Sequence, residues 1–304
     1  MKKSQNTTNH QSSLTNHSPT TNHQSSLTNH SSPTTPHSSS PHQSPLTPHP
    51  SLLLETIGLF AGYKKARNVV RSIDLIVEKG EFVGLFGTNG AGKSTILKAI
   101  MGILYRQQGK ILYYLGKKEA VDIIEYPPDK RSRLGIKYLT QDARIFPGYT
   151  VKENLLFAVD FDKKKYTERI AGIIDLFVDF SDSAFLNKKG DELSGGEREK
   201  TAIGMVLMTQ PRLLMLDEPS AGLSPQLVKS LLEGIRNYQR SQGNGMAVIL
   251  IEQQKLFEAK DICDSLYLLK NGRIIDLEGN ESNGKLPVSA VTDAKLEEFM
   301  LVKS

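Results

Sequence analysis

Nine residues, Gly87-Thr88-Asn89-Gly90-Ala91-Gly92-Lys93-Ser94-Thr95, constrain this chain more than any other stretch. They spell G-x-x-x-x-G-K-[ST], the pattern of a loop that cradles phosphates. Gly87, Gly90 and Gly92 let the backbone bend and bring its N–H groups close to phosphate oxygens. Lys93 supplies a positive charge for the outer phosphates, and Ser94 offers a hydroxyl to Mg²⁺. Thr88, Asn89, Ala91 and Thr95 complete the loop and its exit. The preceding segment, Glu81-Phe82-Val83-Gly84-Leu85-Phe86, is short and apolar, as a buried strand should be. Ile96-Leu97-Lys98-Ala99-Ile100 continues beyond it with helical spacing. Strand, glycine loop and helix is the context that separates this motif from a chance glycine-rich turn. The helix start adds about half a positive charge where the phosphates would sit.

Composition divides the chain. Residues 1–50 contain no Asp, Glu, Phe, Tyr or Val, and the stretch Thr7–Ser18 (TTNHQSSLTNHS) recurs at Thr20–Ser31. Such a segment cannot bury enough apolar surface to offset the entropy of ordering, so it reads as a disordered low-complexity tail. All seven histidines lie in it, at spacings that follow the repeat rather than a metal-ligand geometry. It has no apolar stretch of the kind a signal peptide needs. Residues 51–304 then read as one larger domain. Its longest apolar runs, such as Ala247-Val248-Ile249-Leu250-Ile251, fall far short of the ~20 residues that cross a bilayer. A lone cysteine, Cys263, points to a reducing compartment and excludes a disulfide framework. The formal net charge is +5, and the tail holds Lys2 and Lys3 without any acid. The remaining charge is modest, and no interleaved basic and aromatic patch suggests a nucleic-acid partner.

Two further motifs carry chemistry. In Arg212-Leu213-Leu214-Met215-Leu216-Asp217-Glu218-Pro219 an apolar strand ends in adjacent carboxylates. Asp217 is suited to hold Mg²⁺ through water, and Glu218 to polarise an attacking water, while Pro219 ends the strand. Leu193-Ser194-Gly195-Gly196-Glu197 contains an S-x-x-E capping box, which opens a helix running to about Met208. Its two glycines leave backbone N–H groups bare at a positive helix end, an anion site.

Taken together, these motifs resemble the ATP-binding subunit of an ABC transporter over roughly residues 53–277. The resemblance implies an α/β fold: a P-loop NTPase core of the ABC type, with an antiparallel β subdomain and a helical subdomain. It implies ATP and Mg²⁺ as ligands, and a dimer in which Ser194, Gly195, Gly196 and Glu197 of one subunit bind the γ-phosphate held by the other. Tyr63 stands where the family stacks an aromatic ring on adenine. Gln141, in Tyr138-Leu139-Thr140-Gln141-Asp142, matches the glutamine that contacts Mg²⁺ and the water and links the site to the membrane partner. Ser220-Ala221-Gly222-Leu223-Ser224-Pro225 matches the loop that crosses the dimer interface, and Ser224-Pro225 also makes an N-cap and N1 pair.

One position departs from the family. Gln253, in Ile249-Leu250-Ile251-Glu252-Gln253-Gln254, replaces a histidine that touches the γ-phosphate. Its amide can donate a hydrogen bond but cannot carry charge. Glutamine after glutamate is similar to one ATPase subunit of branched-chain amino-acid importers. Thr150-Val151-Lys152-Glu153-Asn154-Leu155 and Gln210-Pro211-Arg212-Leu213-Leu214 support that subgroup. Gly135 to Phe146 looks as much like exporters of lipopolysaccharide, which stand as the alternative. The resemblance further implies transmembrane permease partners and a peripheral place on the cytoplasmic face of the inner membrane. It also implies a second ATP-binding subunit, with a sister subunit favoured over a second copy because of Gln253.

Strands are expected at 52–60, 68–77, 82–86, 135–139, 212–216 and 246–251. A helical subdomain is expected at about 142–192, with a helix starting near Val151 behind the capping box of Thr150 and Glu153. In the family this subdomain docks the permease, and Phe146, Tyr149, Leu156 and Phe157 are candidates for that groove. The ATP-binding domain is placed at 51–280 and a C-terminal cap at 281–304. Two other ATPase classes share these motifs. Chromosome-structure ATPases insert a long coiled coil between Gln141 and Leu193, where this chain has no sustained heptads. Translation-factor ATPases carry two such domains, and this chain has a single phosphate loop.

Overall fold

The computed structural model describes residues 51–63, 68–116, 120–141, 145–243, 245–253, 255–282 and 284–301. The repeat-bearing tail, residues 1–50, lies outside the described residues. In chain order the elements begin β1 (Leu52–Gly62), β2 (Val70–Glu78), β3 (Phe82–Gly87), α1 (Lys93–Met101), β4 (Arg106–Tyr114) and β5 (Ala120–Asp122). They continue with α2 (Pro128–Arg133), β6 (Ile136–Leu139), α3 (Val151–Phe157), α4 (Lys163–Leu176), α5 (Ser183–Asn187) and α6 (Gly195–Met208). The last are β7 (Leu213–Asp217), α7 (Pro225–Ser241), β8 (Ala247–Ile251), α8 (Leu256–Lys260), β9 (Ser265–Lys270), β10 (Arg273–Ile275), β11 (Leu286–Pro287) and α9 (Asp293–Leu301).

Two sheets organise them. The central sheet runs β10-β9-β3-β8-β7-β6, with β11 added to β9. Its neighbours from β9 to β6 are parallel, and β10 and β11 pair antiparallel with β9. Strands β3, β7 and β8 are buried throughout, as a parallel sheet covered on both faces requires. Successive side chains serve opposite faces. Phe82, Phe86, Leu214, Leu216, Val248 and Leu250 pack with the helices α6 and α7. Val83, Leu85, Leu213, Met215, Ala247 and Ile249 pack with α1, β1 and β2.

The second sheet is antiparallel, in the order β2-β1-β4-β5. Its strands β1 and β2 match the sequence expectation. The hairpin β4–β5 and helix α2 had no counterpart in it, although Ile111-Leu112-Tyr113-Tyr114 is a run of good strand formers. Between Gln141 and Leu193, the described residues hold α3, α4, α5 and two short 3₁₀ turns. The capping box is formed: Glu153 N–H donates to the Thr150 hydroxyl at 3.2 Å, and Thr150 N–H to the Glu153 carboxylate at 2.8 Å. Helix α9 buries Leu296 and Phe299 in the same core as α6 and α7.

Arg131 makes a connection that no motif announces. Among the described residues it is the largest fully buried side chain. Its guanidinium donates to the carbonyls of Ala99 and Ile100 at 2.7 and 2.8 Å, which end α1. It donates also to Tyr126 and Ile124 carbonyls at 2.7 and 2.6 Å. Burial lowers its pKa to about 10, so it stays charged and satisfies helix-end acceptors that would otherwise be orphaned.

Candidate nucleotide site

The residues singled out in the sequence gather at the carboxyl ends of the parallel strands. The glycine loop follows β3, Gln141 follows β6, Asp217 ends β7 with Glu218 directly after it, and Gln253 follows β8. This is where ligands bind in open α/β sheets. The loop geometry demands its glycines. Gly92 sits at φ +105° as the N-cap of α1, and a Cβ there would meet Val70 Cγ1 at 2.6 Å. A Cβ on Gly87 would come within 2.1 Å of the Leu269 carbonyl oxygen. A side chain at either position would displace a neighbouring strand.

Lys93 is buried. Its Nζ donates to the carbonyls of Gly87 at 2.8 Å and Thr88 at 3.1 Å, which folds the loop over the ammonium. Burial lowers its pKa, and the charges of Glu218 and Asp217 oppose that. The Ser94 hydroxyl donates to Asp217 Oδ1 at 2.9 Å. On the other side, the hydroxyl of Tyr138 donates to Asp217 Oδ2 at 2.7 Å. Burial and then this bond to Asp217 push the Tyr138 phenol far above its ordinary range, so it remains a donor. Tyr138 was legible only as a strand residue. Its place beside Met215 in the β6–β7 register brings it to Asp217.

A cavity of about 380 Å³ opens over the loop, lined by Asn89, Gly90, Lys93, Ser94, Thr95 and Glu218, among others. Tyr63 borders it, half exposed, with Lys98 Nζ 5.4 Å from its ring centroid. Val69 and Lys98, which also line it, carried no sequence signal. Glu218 holds φ +52°, a left-handed conformation that is costly for a residue with a side chain. Its N–H donates to the Ile251 carbonyl at 2.9 Å, which ties the end of β7 to that of β8. Gln141 is exposed and Gln253 half-buried, and neither is among the cavity's lining residues.

Ser194 to Glu197 form a separate anion-directed feature. Ser194 caps α6, accepting from Glu197 N–H at 3.3 Å, and Glu197 accepts from Ser194 N–H at 2.8 Å. The Lys188 ammonium lies 2.7 Å from the Glu197 carboxylate. That bond, and then the Ser194 amide, lower the Glu197 pKa to about 2. The box and the ion pair thus occupy the side chains of Ser194 and Glu197, leaving the N–H groups of Gly195 and Gly196 as the free donors of this helix start.

Comparison with known proteins identifies the family. Residues 70–221, half of the chain, match the ABC transporter family. A probable branched-chain amino acid transport ATP-binding protein, LivF of Archaeoglobus fulgidus, is 35% identical over 73% of this chain and 90% of its own. The lipopolysaccharide export system ATP-binding protein LptB of Haemophilus influenzae is 35% identical over 69% of this chain and 84% of its own. A solved structure of an ATP-binding subunit of an ABC transporter superposes with a TM-score of 0.63 at 26% identity, covering 83% of this chain and 95% of that one.

Proposed function

From the premise that this chain belongs to the ABC transporter ATP-binding proteins, and is an ATPase, we propose how its residues divide the work and what the work serves. Lys93 and the loop amides hold the ATP phosphates. Glu218 orients and polarises the attacking water. The observation that supports this is the strained, cavity-lining Glu218 standing across from Lys93 and Ser94. Mg²⁺ suits the donor set: the Ser94 hydroxyl and Asp217 carboxylate are adjacent hard oxygens, and Gln141 sits at the end of the neighbouring strand. When bound, such an ion neutralises charge on the phosphate oxygens. Tyr138, by its bond to Asp217, holds that carboxylate toward Ser94.

Proteins of this family dimerise and work with transmembrane permeases. Here Gly195 and Gly196 offer their amides to the γ-phosphate bound by the other subunit. Gln253 favours a sister subunit with a switch histidine as that partner. Among the described residues no helix is long and apolar enough to cross a membrane. The permease holds this chain at the membrane's cytoplasmic face. Its docking surface is the aromatic row on the helical subdomain. Phe146, Tyr149 and Phe157 are exposed there, as is Phe161, and the Phe146 and Phe157 rings lie 4.3 Å apart. Leu156 is only half-buried beside them.

The transported solute is read from the relatives: import of a branched-chain amino acid or similar small polar solute, with lipopolysaccharide export as the second reading. Two experiments test this. Glu218→Gln is expected to cut turnover by roughly 100-fold or more while ATP still binds and a closed dimer accumulates on size exclusion. Normal turnover would reject the role of Glu218. Affinity purification of the tagged chain from mildly solubilised membranes should recover a permease with a second ATPase and a solute-binding protein. Recovery of a bridge protein to an outer membrane would transfer the assignment to lipid export.

A further inference from the structure

Glu252 is a charged side chain with almost no exposure, 1%, directly after β8 and directly before Gln253. Burying a carboxylate is expensive unless it is paired or hydrogen-bonded. Its bonding suggests why a carboxylate is there. Glu252 Oε1 accepts the Ser220 N–H at 3.1 Å. Ser220 stands two residues beyond Glu218, at the start of the loop assigned to the dimer interface.

The turn that carries Glu218 is therefore fastened to the end of β8 at two points. One is the main-chain bond from Glu218 N–H to Ile251, which any residue could make. The other, on the far side of Pro219, needs a side-chain acceptor at position 252. A left-handed glutamate persists only where its surroundings over-determine it. One more group bears on the same point. Glu199 of α6 has its Oε1 buried without a hydrogen-bond partner, and the charge of Glu252 acts on it.

We infer that Glu252 is a positioning residue for ATP hydrolysis: from the end of β8 its carboxylate accepts the Ser220 amide and so sets the turn that aims Glu218. This rests on the role proposed above for Glu218. The test uses the purified full-length chain and compares Glu252→Met, Glu252→Gln and Glu252→Ala with the unaltered protein and with Glu218→Gln. The readouts are kcat and KM for ATP, affinity for a fluorescent ATP analogue, and melting temperature. Met fills the volume and has no suitable acceptor. With the Ser220 N–H left unpaired it should melt a few degrees lower but stay folded, and it should bind nucleotide within about 3-fold yet lose kcat by roughly 10- to 100-fold, the cost of a misplaced catalytic group. Gln keeps an amide oxygen for the Ser220 N–H and should hold kcat within about 3-fold. Ala removes the acceptor without adding bulk and must show the same loss in kcat alone, which keeps the test open if Met does not fold. A folded Met or Ala variant with full kcat overturns the inference, as does an equal loss in Gln. Normal turnover in Glu218→Gln would instead reject the underlying assignment of Glu218.

Discussion

Two helices in this chain begin at anion-directed ends, and they are built in opposite ways. Helix α1 starts from Gly92, which has no side chain to cap the first turn, and its first residue is the buried Lys93. Helix α6 starts from Ser194, which closes a complete capping box with Glu197, and Lys188 seals that carboxylate from outside. The first end leaves its amides to a ligand and packs tightly against β2 and β9, where even a Cβ on Gly87 or Gly92 would clash. The second is satisfied by its own side chains and meets open space at Gly195, where a Cβ would touch nothing within 4 Å. The difference separates a deep glycine loop, closed in by two strands and uncapped by any side chain, from a shallow helix start that its own side chains cap and whose first glycine faces open space.

The largest expected effect breaks the deep half. Lys93→Ala should weaken ATP binding by roughly 100-fold or more, because a buried charge-assisted contact to phosphate is lost. The stabilisation of the fold by ATP should vanish with it in a thermal-shift titration. Unchanged affinity would mean that the loop does not hold the phosphates. A smaller effect should come from the shallow half. Ser194→Ala removes a cap and should lower stability by about 1 kcal/mol, read from denaturant unfolding. ATP affinity of the single subunit should stay unchanged while turnover of the dimer falls. Equal losses in affinity would erase the distinction between the two ends.

The smallest effect concerns pH. Burial, and then the charge of Glu252, raise the Glu199 pKa to about 8, and burial raises Glu252 to about 7 with Glu218 adding to it. Both groups therefore bind protons more tightly folded than unfolded. Their contribution to stability is complete below the ordinary carboxylate range and is lost as pH rises toward 8. The melting temperature should fall by a few degrees across that window, on the order of 1 kcal/mol after allowance for the partial exposure of Glu199. Glu199→Gln should flatten the slope, and an unchanged slope would remove this pair from the account.

Much of this protein could be read without coordinates, for physical reasons that differ by element. The phosphate loop, the capping boxes at Thr150 and Ser194, and the Ser224-Pro225 helix start are local, so the residues that make them are neighbours in the chain. Helix α7 begins at Pro225 with Ser224 as its cap, as the dipeptide implies. The strands β3, β7 and β8 announced themselves because parallel strands buried on both faces are uniformly apolar. The hairpin β4–β5 was not read because Arg106-Gln107-Gln108-Gly109-Lys110 opens β4 with polar residues and a glycine, which no strand pattern announces. The partner of β4 is β1, tens of residues away.

Non-local pairs required the fold. Tyr138 meets Asp217, and Glu252 holds Ser220, only after the sheet places β6, β7 and β8 side by side, and Arg131 caps the end of α1 only once α2 packs beside that helix. The aromatic row shows the same limit in reverse. Phe146, Tyr149 and Phe157 are apolar enough to be core, and only their packing left them exposed. By itself the sequence determined the local chemistry: which residues bend, cap and carry charge. Tertiary structure decided which of those groups face each other, because contact between distant residues depends on strand order and register, which no short motif encodes.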